Sequence, residues 1–157
     1  MHHSLVTLFI AAFGLITTSA EAAVISCPPV TLVTQNQQLI LNSADTPTVY
    51  FLKNITAQGI WIDHPIQHHS ASAGWSSYLQ TGNWSTLLVN RKNFAISCAA
   101  IEPGKVKYLN CSKVLSVCSP KITPPSSSEQ KGTYWVAEDL KWDVLLKKVE
   151  KRGFRFN

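Results

Sequence analysis

Carboxylates are scarce in the middle of this 157-residue chain. Between Val30 and Cys118 only Asp45, Asp63 and Glu102 carry one. Asp45 and Glu102 sit in turn-forming sequence, so no glycosidase-type pair of acids can be built from them. A glycine-rich phosphate loop is missing. Gly74-Trp75-Ser76-Ser77 falls short of a nucleophile elbow, because position 78 is Tyr where that motif needs a second glycine. No C-x2-C pair occurs, which removes the usual zinc spacing. These absences leave no candidate catalytic residue and no cofactor, and the expectation is a protein that is not an enzyme.

Long apolar runs are also lacking, except at the start. Leu5 to Ile16 is too short to span a bilayer, which takes about 20 apolar residues. Thr17-Thr18-Ser19 and the small-x-small step Ala20-Glu21-Ala22 follow it. That order is the pattern of a secretory signal peptide over residues 1–22, although His2 and His3 stand where Lys or Arg is usual. No cysteine follows the expected cut directly, which disfavours a lipoprotein. Removing the leader takes away Glu21 and no Lys or Arg, so the formal charge of +5 rises by one. A basic exported chain is suited to anionic surfaces, and the same charge keeps it soluble. The expected location is periplasmic or secreted, without stable membrane insertion and without nucleic acid as a partner.

All four cysteines, Cys27, Cys98, Cys111 and Cys118, lie beyond the leader. An even count in an oxidising compartment predicts two disulfides, and four cysteines allow three pairings. Cys98 with Cys111 is favoured, since Glu102-Pro103-Gly104-Lys105 between them is a strong turn signal. Cys27 would then pair with Cys118.

Residues 23–118 are expected to form a β domain. Gln38–Leu41, Thr48–Leu52, Gly59–Ile62, Leu87–Val89, Phe94–Cys98, Val106–Leu109 and Val114–Val117 are β-rich runs separated by turn residues. Short strands at this spacing predict a β-sandwich or small barrel. Asp63 to Asn83 breaks the rhythm and is expected as a long binding loop, with one helical turn around Trp75–Leu79. Residues 119–131, rich in Pro and Ser, have a linker composition. Residues 132–157 predict a strand-helix-strand unit, a C-terminal β-α-β appendage. Tyr134-Trp135-Val136 is its first strand and Glu138 and Asp139 open the helix. Trp142, Leu145, Leu146 and Val149 give that helix one apolar face, and Lys147, Lys148, Lys151 and Arg152 close it. Gly153 stands at the C′ position, and Phe154 and Phe156 flank Arg155 as in a short strand.

Asp63-His64-Pro65 with His68-His69 is the one cluster with metal-ligating side chains. Pro65 and the loop context argue against a helical His-x3-His site, so a polar surface loop is expected, with a weak copper or zinc site as the competing reading. Trp61, Trp75, Tyr78 and Trp84 cluster in sequence. They read either as core or as a partner or glycan surface, since Trp and Tyr are enriched at binding hot spots. The surface expected from the long loop comprises Trp75, Tyr78 and Trp84. Asn54-Ile55-Thr56, Asn83-Trp84-Ser85 and Asn110-Cys111-Ser112 match the glycosylation sequon.

Ala73-Gly74-Trp75-Ser76-Ser77-Tyr78-Leu79, Asn83-Trp84-Ser85-Thr86-Leu87, Val89-Asn90, Phe94, Cys98, Glu102-Pro103-Gly104, Cys111, Val114-Leu115 and Val117-Cys118 resemble the enhanced entry protein B family, small exported proteins of the Legionella and Coxiella type. Gly132-Thr133-Tyr134-Trp135-Val136-Ala137-Glu138 is similar to that family too. The resemblance implies an envelope or secreted protein linked to host-cell entry and intracellular growth, acting beside a periplasmic helical-repeat partner of the enhanced entry C type. It carries over no catalytic residue. An inhibitor or modulator of a cell-wall-degrading enzyme is the alternative function, and a small hydrolase or metalloprotein centred on Asp63, His64, His68 and His69 is a third.

Overall fold

The computed structural model describes residues 25–43, 46–64, 75–125 and 134–157; the side chains of residue 75 and residues 134–138 lie outside that description. The expected leader, residues 1–22, lies outside the described residues. Among those described, no helix is long and apolar enough to cross a membrane.

The chain is mainly β, with two larger open antiparallel sheets packed face to face and a separate two-stranded one, and it is not a closed barrel. In chain order the strands of the first sheet are β1 (Val33–Gln35), β2 (Gln38–Leu41), β4 (Ile60–His64), β5 (Trp75–Leu79), β7 (Phe94–Glu102) and β8 (Lys105–Leu109). Those of the second are β3 (Thr48–Asn54), β6 (Trp84–Val89), β9 (Leu115–Cys118) and β11 (Tyr134–Leu140). The spatial orders are β1-β2-β7-β4-β5, with β8 also on β7, and β11-β6-β3-β9. The inward residues Leu39, Leu41, Ile60, Ile62, Leu79, Phe94 and Ile96 of the first sheet meet Tyr50, Leu52, Leu87, Val89, Leu115 and Val117 of the second.

The second sheet is buried on its other face as well. Val49, Phe51 and Leu88 point outward from it and are covered by Leu145 and Val149 of α2 (Trp142–Lys151) and by Phe154. Burial on both faces explains why β3 and β6 read as continuous apolar runs rather than alternating ones. The apolar stripe of α2 is the one expected from its spacing, and Trp142 meets the fully buried Phe51 edge-on at 5.2 Å. The helix ends in a Schellman motif. Gly153 adopts φ +90°, its N–H donates to Glu150 O, and Phe154 N–H donates to Val149 O.

Helix α2 starts later than expected. Glu138 and Asp139 belong to β11, and Asp139 has φ +47° where the register with β6 slips. Its carboxylate accepts from Gln80 N–H and Asn83 Nδ2, so it clamps the β5–β6 turn instead of opening a helix. The order strand, helix, strand is present, but its two strands do not pair with each other. β11 extends the second sheet along β6, and β12 (Arg155–Phe156) pairs with β10 (Ile122–Thr123). β10 falls within the proline-rich segment, where Pro120 is buried and Ser119 Oγ donates to Val49 O.

Two disulfides join Cys27 to Cys118 and Cys98 to Cys111, the pairing favoured above. The first ties the start of the described chain to β9, 91 residues away. The second ties β7 to α1 (Cys111–Val114). Two disulfides fit an oxidising, non-cytoplasmic compartment.

Phe51 is the largest fully buried side chain through which the second sheet holds α2, beside Val49 and Leu88. Phe51→Ala is expected to cost about 3–5 kcal/mol, read as a lower urea midpoint with an unchanged slope. A loss under about 1 kcal/mol would mean that α2 is not held by this contact.

Candidate functional site

Where it is described, the segment expected as a loop from Asp63 to Asn83 contributes to two paired strands. Asp63 and His64 end β4 and pair with Ser76 and Trp75 of β5, so Trp75–Leu79 is a strand and not a helical turn. Its alternation is real but hidden: Ser77 and Leu79 are buried, while Ser76 and Tyr78 face solvent. Residues 65–74, with His68 and His69, lie outside the described residues.

His64 points inward and is 3% exposed. Its Nδ1 lies 2.8 Å from Ala95 O, and Arg91 Nη2 lies 2.8 Å from its Nε2. Both partners agree on one tautomer. The carbonyl can only accept, so Nδ1–H donates; the guanidinium can only donate, so Nε2 accepts. The ring also stacks on Phe94 at 4.2 Å, and Arg91 lies over that same Phe94 ring. Burial holds the imidazole pKa below the ordinary histidine value and the Arg91 charge adds to this, against the opposing effect of the Ala95 carbonyl. His64 is thus a neutral core residue with both nitrogens engaged. Asp63, one residue away, faces the opposite side of the strand. Among the described residues no group of three or more His, Cys, Asp or Glu is placed to hold a metal.

The expected partner surface is divided. Trp84 lies on the outer face of the second sheet, where its ring meets Trp142 at 4.5 Å and Lys53 Nζ sits 5.5 Å above it. Tyr78 lies on the outer face of the first sheet, on the far side of the sandwich. The backbone of Trp75 is in β5 opposite His64, and its side chain lies outside the description. No single surface holds Tyr78 and Trp84 together.

What Tyr78 does join is a row written by register alone. Tyr78 is opposite Trp61, Trp61 is opposite Ala99, and Ala99 is opposite Tyr108. Directly opposite residues share a face, so these four side chains cross β5, β4, β7 and β8 in one line. The span is about 14 Å, three inter-strand spacings. Trp61 and Tyr78 pack at 5.4 Å. Gly59 permits this, since a Cβ there would fall 1.9 Å from the Tyr78 hydroxyl oxygen. The adjoining pair Ile101 and Val106 extends the face, at 64% and 57% exposed, and Tyr108 is 68% exposed. Contiguous apolar and aromatic exposure of this kind singles this face out as the candidate site.

Sequence reasoning found Trp61 and Tyr78 but missed Tyr108, Ile101 and Val106. Strand phase held the signal: Val106 and Tyr108 alternate with Lys105 and Lys107, which pair with Glu102 toward the other face.

The sequon asparagines have internal duties. Asn54 is fully buried; its Nδ2 donates to Gln58 O and Leu79 O, and its Oδ1 accepts from Thr56 N–H and Oγ1. Asn110 caps α1, accepting from Ser112 N–H and Oγ. The N-x-[ST] spacing at these two positions is that of an Asx turn, which makes the same two-residue reach. Asn83 is buried against Asp139.

The chain matches no protein-family model, no curated protein and no solved structure.

A neutral buried His64 makes the fold acid-sensitive. Its folded pKa lies below the unfolded value of about 6.5, so the unfolded chain binds the proton first. Stability is therefore full above that pH and falls as pH drops below it. Urea unfolding at about pH 7.5 and 5.5 should show wild-type stability dropping over this interval. His64→Gln should show a smaller drop; equal drops in both proteins would remove His64 as the source.

Proposed function

We propose that this is a non-enzymatic, exported binding protein of the bacterial envelope, periplasmic or secreted, associated with host-cell entry or intracellular growth. Its recognition surface is the outer face of the first sheet. The observation that carries this reading is the row Tyr78–Trp61–Ala99–Tyr108 with Ile101 and Val106 beside it. Large apolar side chains held in water by a rigid, doubly disulfide-bonded sandwich lose little entropy when a partner covers them. Aromatic side chains are also those that most often supply binding energy. The row itself is built from rings and aliphatic side chains, a chemistry suited to recognition. The envelope setting and the link to host-cell entry rest on the resemblance to the enhanced entry protein B family. A helical-repeat protein of the enhanced entry C type is the expected partner on the same ground.

Crosslinking tagged protein in the envelope of the producing bacterium, followed by mass spectrometry, tests the reading. Ile101→Glu and Val106→Glu change only exposed positions, so the melting temperature should move by less than about 2 °C. Recovery of the specific partner should drop by about tenfold or more. Undiminished recovery by both variants would show that this face is not the recognition surface. A cell-wall hydrolase in the eluate, inhibited by wild type and not by the variants, would turn the reading toward an enzyme modulator.

A further inference from the structure

We infer that the break in the β2–β7–β8 edge is a binding site for one ring of a neutral glycan, with the aromatic row as its continuation. The inference deepens the recognition reading and rests on it. Both β2 and β8 pair along the same edge of β7, because Cys98 faces Ile62 of β4 across its other edge and Leu109 of β8 across this one. β2 holds Phe94 to Ile96, and β8 holds Cys98 to Glu102. Ser97 lies between them, where one strand has stopped and the next has not begun. There the sheet opens a cavity of about 220 Å³, lined by Asn36, Gln37, Gln38, Ser97 and Tyr108 among others.

The lining selects the ligand. Three consecutive amides and two hydroxyls are present, with no charged side chain among the lining residues. Without Lys or Arg the cavity has no complement for phosphate or carboxylate, and without a carboxylate it has none for a cation. An apolar ligand would strip water from the amides and return nothing. A sugar hydroxyl donates and accepts, as does a primary amide, so a polyhydroxylated ring satisfies both. The Tyr108 ring supplies a π face, whose negative quadrupole attracts the polarised C–H groups of a pyranose. The volume lies below the range of drug-sized pockets and suits a single ring. Further rings would run over Ala99, Trp61 and Tyr78.

Backbone strain points to the same place. Asn36 and Gln37 form the two-residue turn between β1 and β2, with φ +50° and +68°. Both central positions of such a turn require positive φ, and the second is best filled by Gly. Gln37 keeps a side chain there against that preference. The turn is pinned across the gap, since Cys111 N–H donates to Gln37 O at 3.1 Å and Gln38 Nε2 donates to Ser97 Oγ at 3.0 Å. Strain held in place by its surroundings is a mark of a functional position.

The test is a titration of the mature chain with chitotriose, cellotriose and maltotriose, and with trigalacturonic acid as the anionic probe, followed by amide chemical shifts. At least one neutral trisaccharide should bind, with its largest shifts at residues 36–38 and 97. Tyr108→Ala should weaken binding by about tenfold, and Tyr108→Phe should keep most of it. Gln37→Gly should weaken binding while leaving the melting temperature equal or higher, which a purely structural glutamine would not do. Absence of saturation by every neutral sugar at about 10 mM, tighter binding of the anion, or unchanged affinity in both Tyr108→Ala and Gln37→Gly would each overturn the inference. If no sugar binds while wild type and Gln37→Gly capture the same envelope partner and Ile101→Glu does not, the cavity is not a glycan site and the recognition reading survives. If no sugar binds and wild type captures no partner, both fail.

Discussion

At its centre, where β3 and β6 pair, the second sheet is buried on both faces. Phe51 and Leu88 point to α2, Leu52 and Leu87 point to the first sheet, and all four are fully buried. Burying both sides of β3 and β6 requires a three-layer stack, with one sheet below and one helix above. That requirement recruits the C-terminal segment: β11 extends the sheet, α2 roofs it, and Phe154 follows the helix cap into the same cluster. It also decides which surfaces remain. One is the polar side of α2, which carries Lys147, Lys148 and Lys151. The other is the outer side of the first sheet, where among the described residues no further layer covers Trp61, Tyr78 and Tyr108. An aromatic residue that packs a core needs no explanation, whereas three in a line on a solvent-facing sheet surface do.

The column of β7 beneath that line is small: Ala95, Ser97 and Ala99 alternate with the inward Phe94, Ile96 and Cys98. All three are nonetheless buried, Ala99 to 2% exposure between Trp61 of β4 and Tyr108 of β8. Small residues in the middle and rings on either side make a trough rather than a flat sheet. The disulfide Cys98–Cys111 fastens the trough from below, and the Cys111 N–H to Gln37 O bond holds its rim. Fold rigidity and surface shape thus come from the same few bonds.

Much of this architecture is legible in the sequence. The runs at Gln38–Leu41, Thr48–Leu52 and Phe94–Cys98, the turn at Pro103-Gly104 that pairs Cys98 with Cys111, and the apolar stripe of α2 are all local signals. Three features were hidden for physical reasons. β5 reads as loop because its inward position 77 is Ser, which erases the apolar half of the alternation. Asp139 reads as a helix opener because an acidic residue ahead of an apolar stripe normally is one, and only the β11–β6 register shows it bonded to the turn at Gln80 and Asn83 instead. β1, β10 and β12 are two or three residues long and exist only through their partners.

The site was the least legible part, and the reason lies in how it is assembled. Its residues come from positions 36–38, 61, 78, 97–99 and 101–108, and no window of sequence contains them. Proximity in sequence instead favoured Tyr78 with Trp84, six residues apart, which the β5–β6 turn sends to opposite sides of the sandwich. Register is what unites Tyr78 with Tyr108, 30 residues away, and register is a property of pairs of strands. Once Ile60 and Ile62 are known to face inward, Trp61 must face out. Once Cys98 is bonded inward to Cys111, Ala99 and its partner Tyr108 must face out beside it. The disulfide pairing, which the sequence does carry, is therefore enough to set the phase of β7 and β8 and to turn an alternating Lys-Val-Lys-Tyr strand into one wall of the exposed aromatic row.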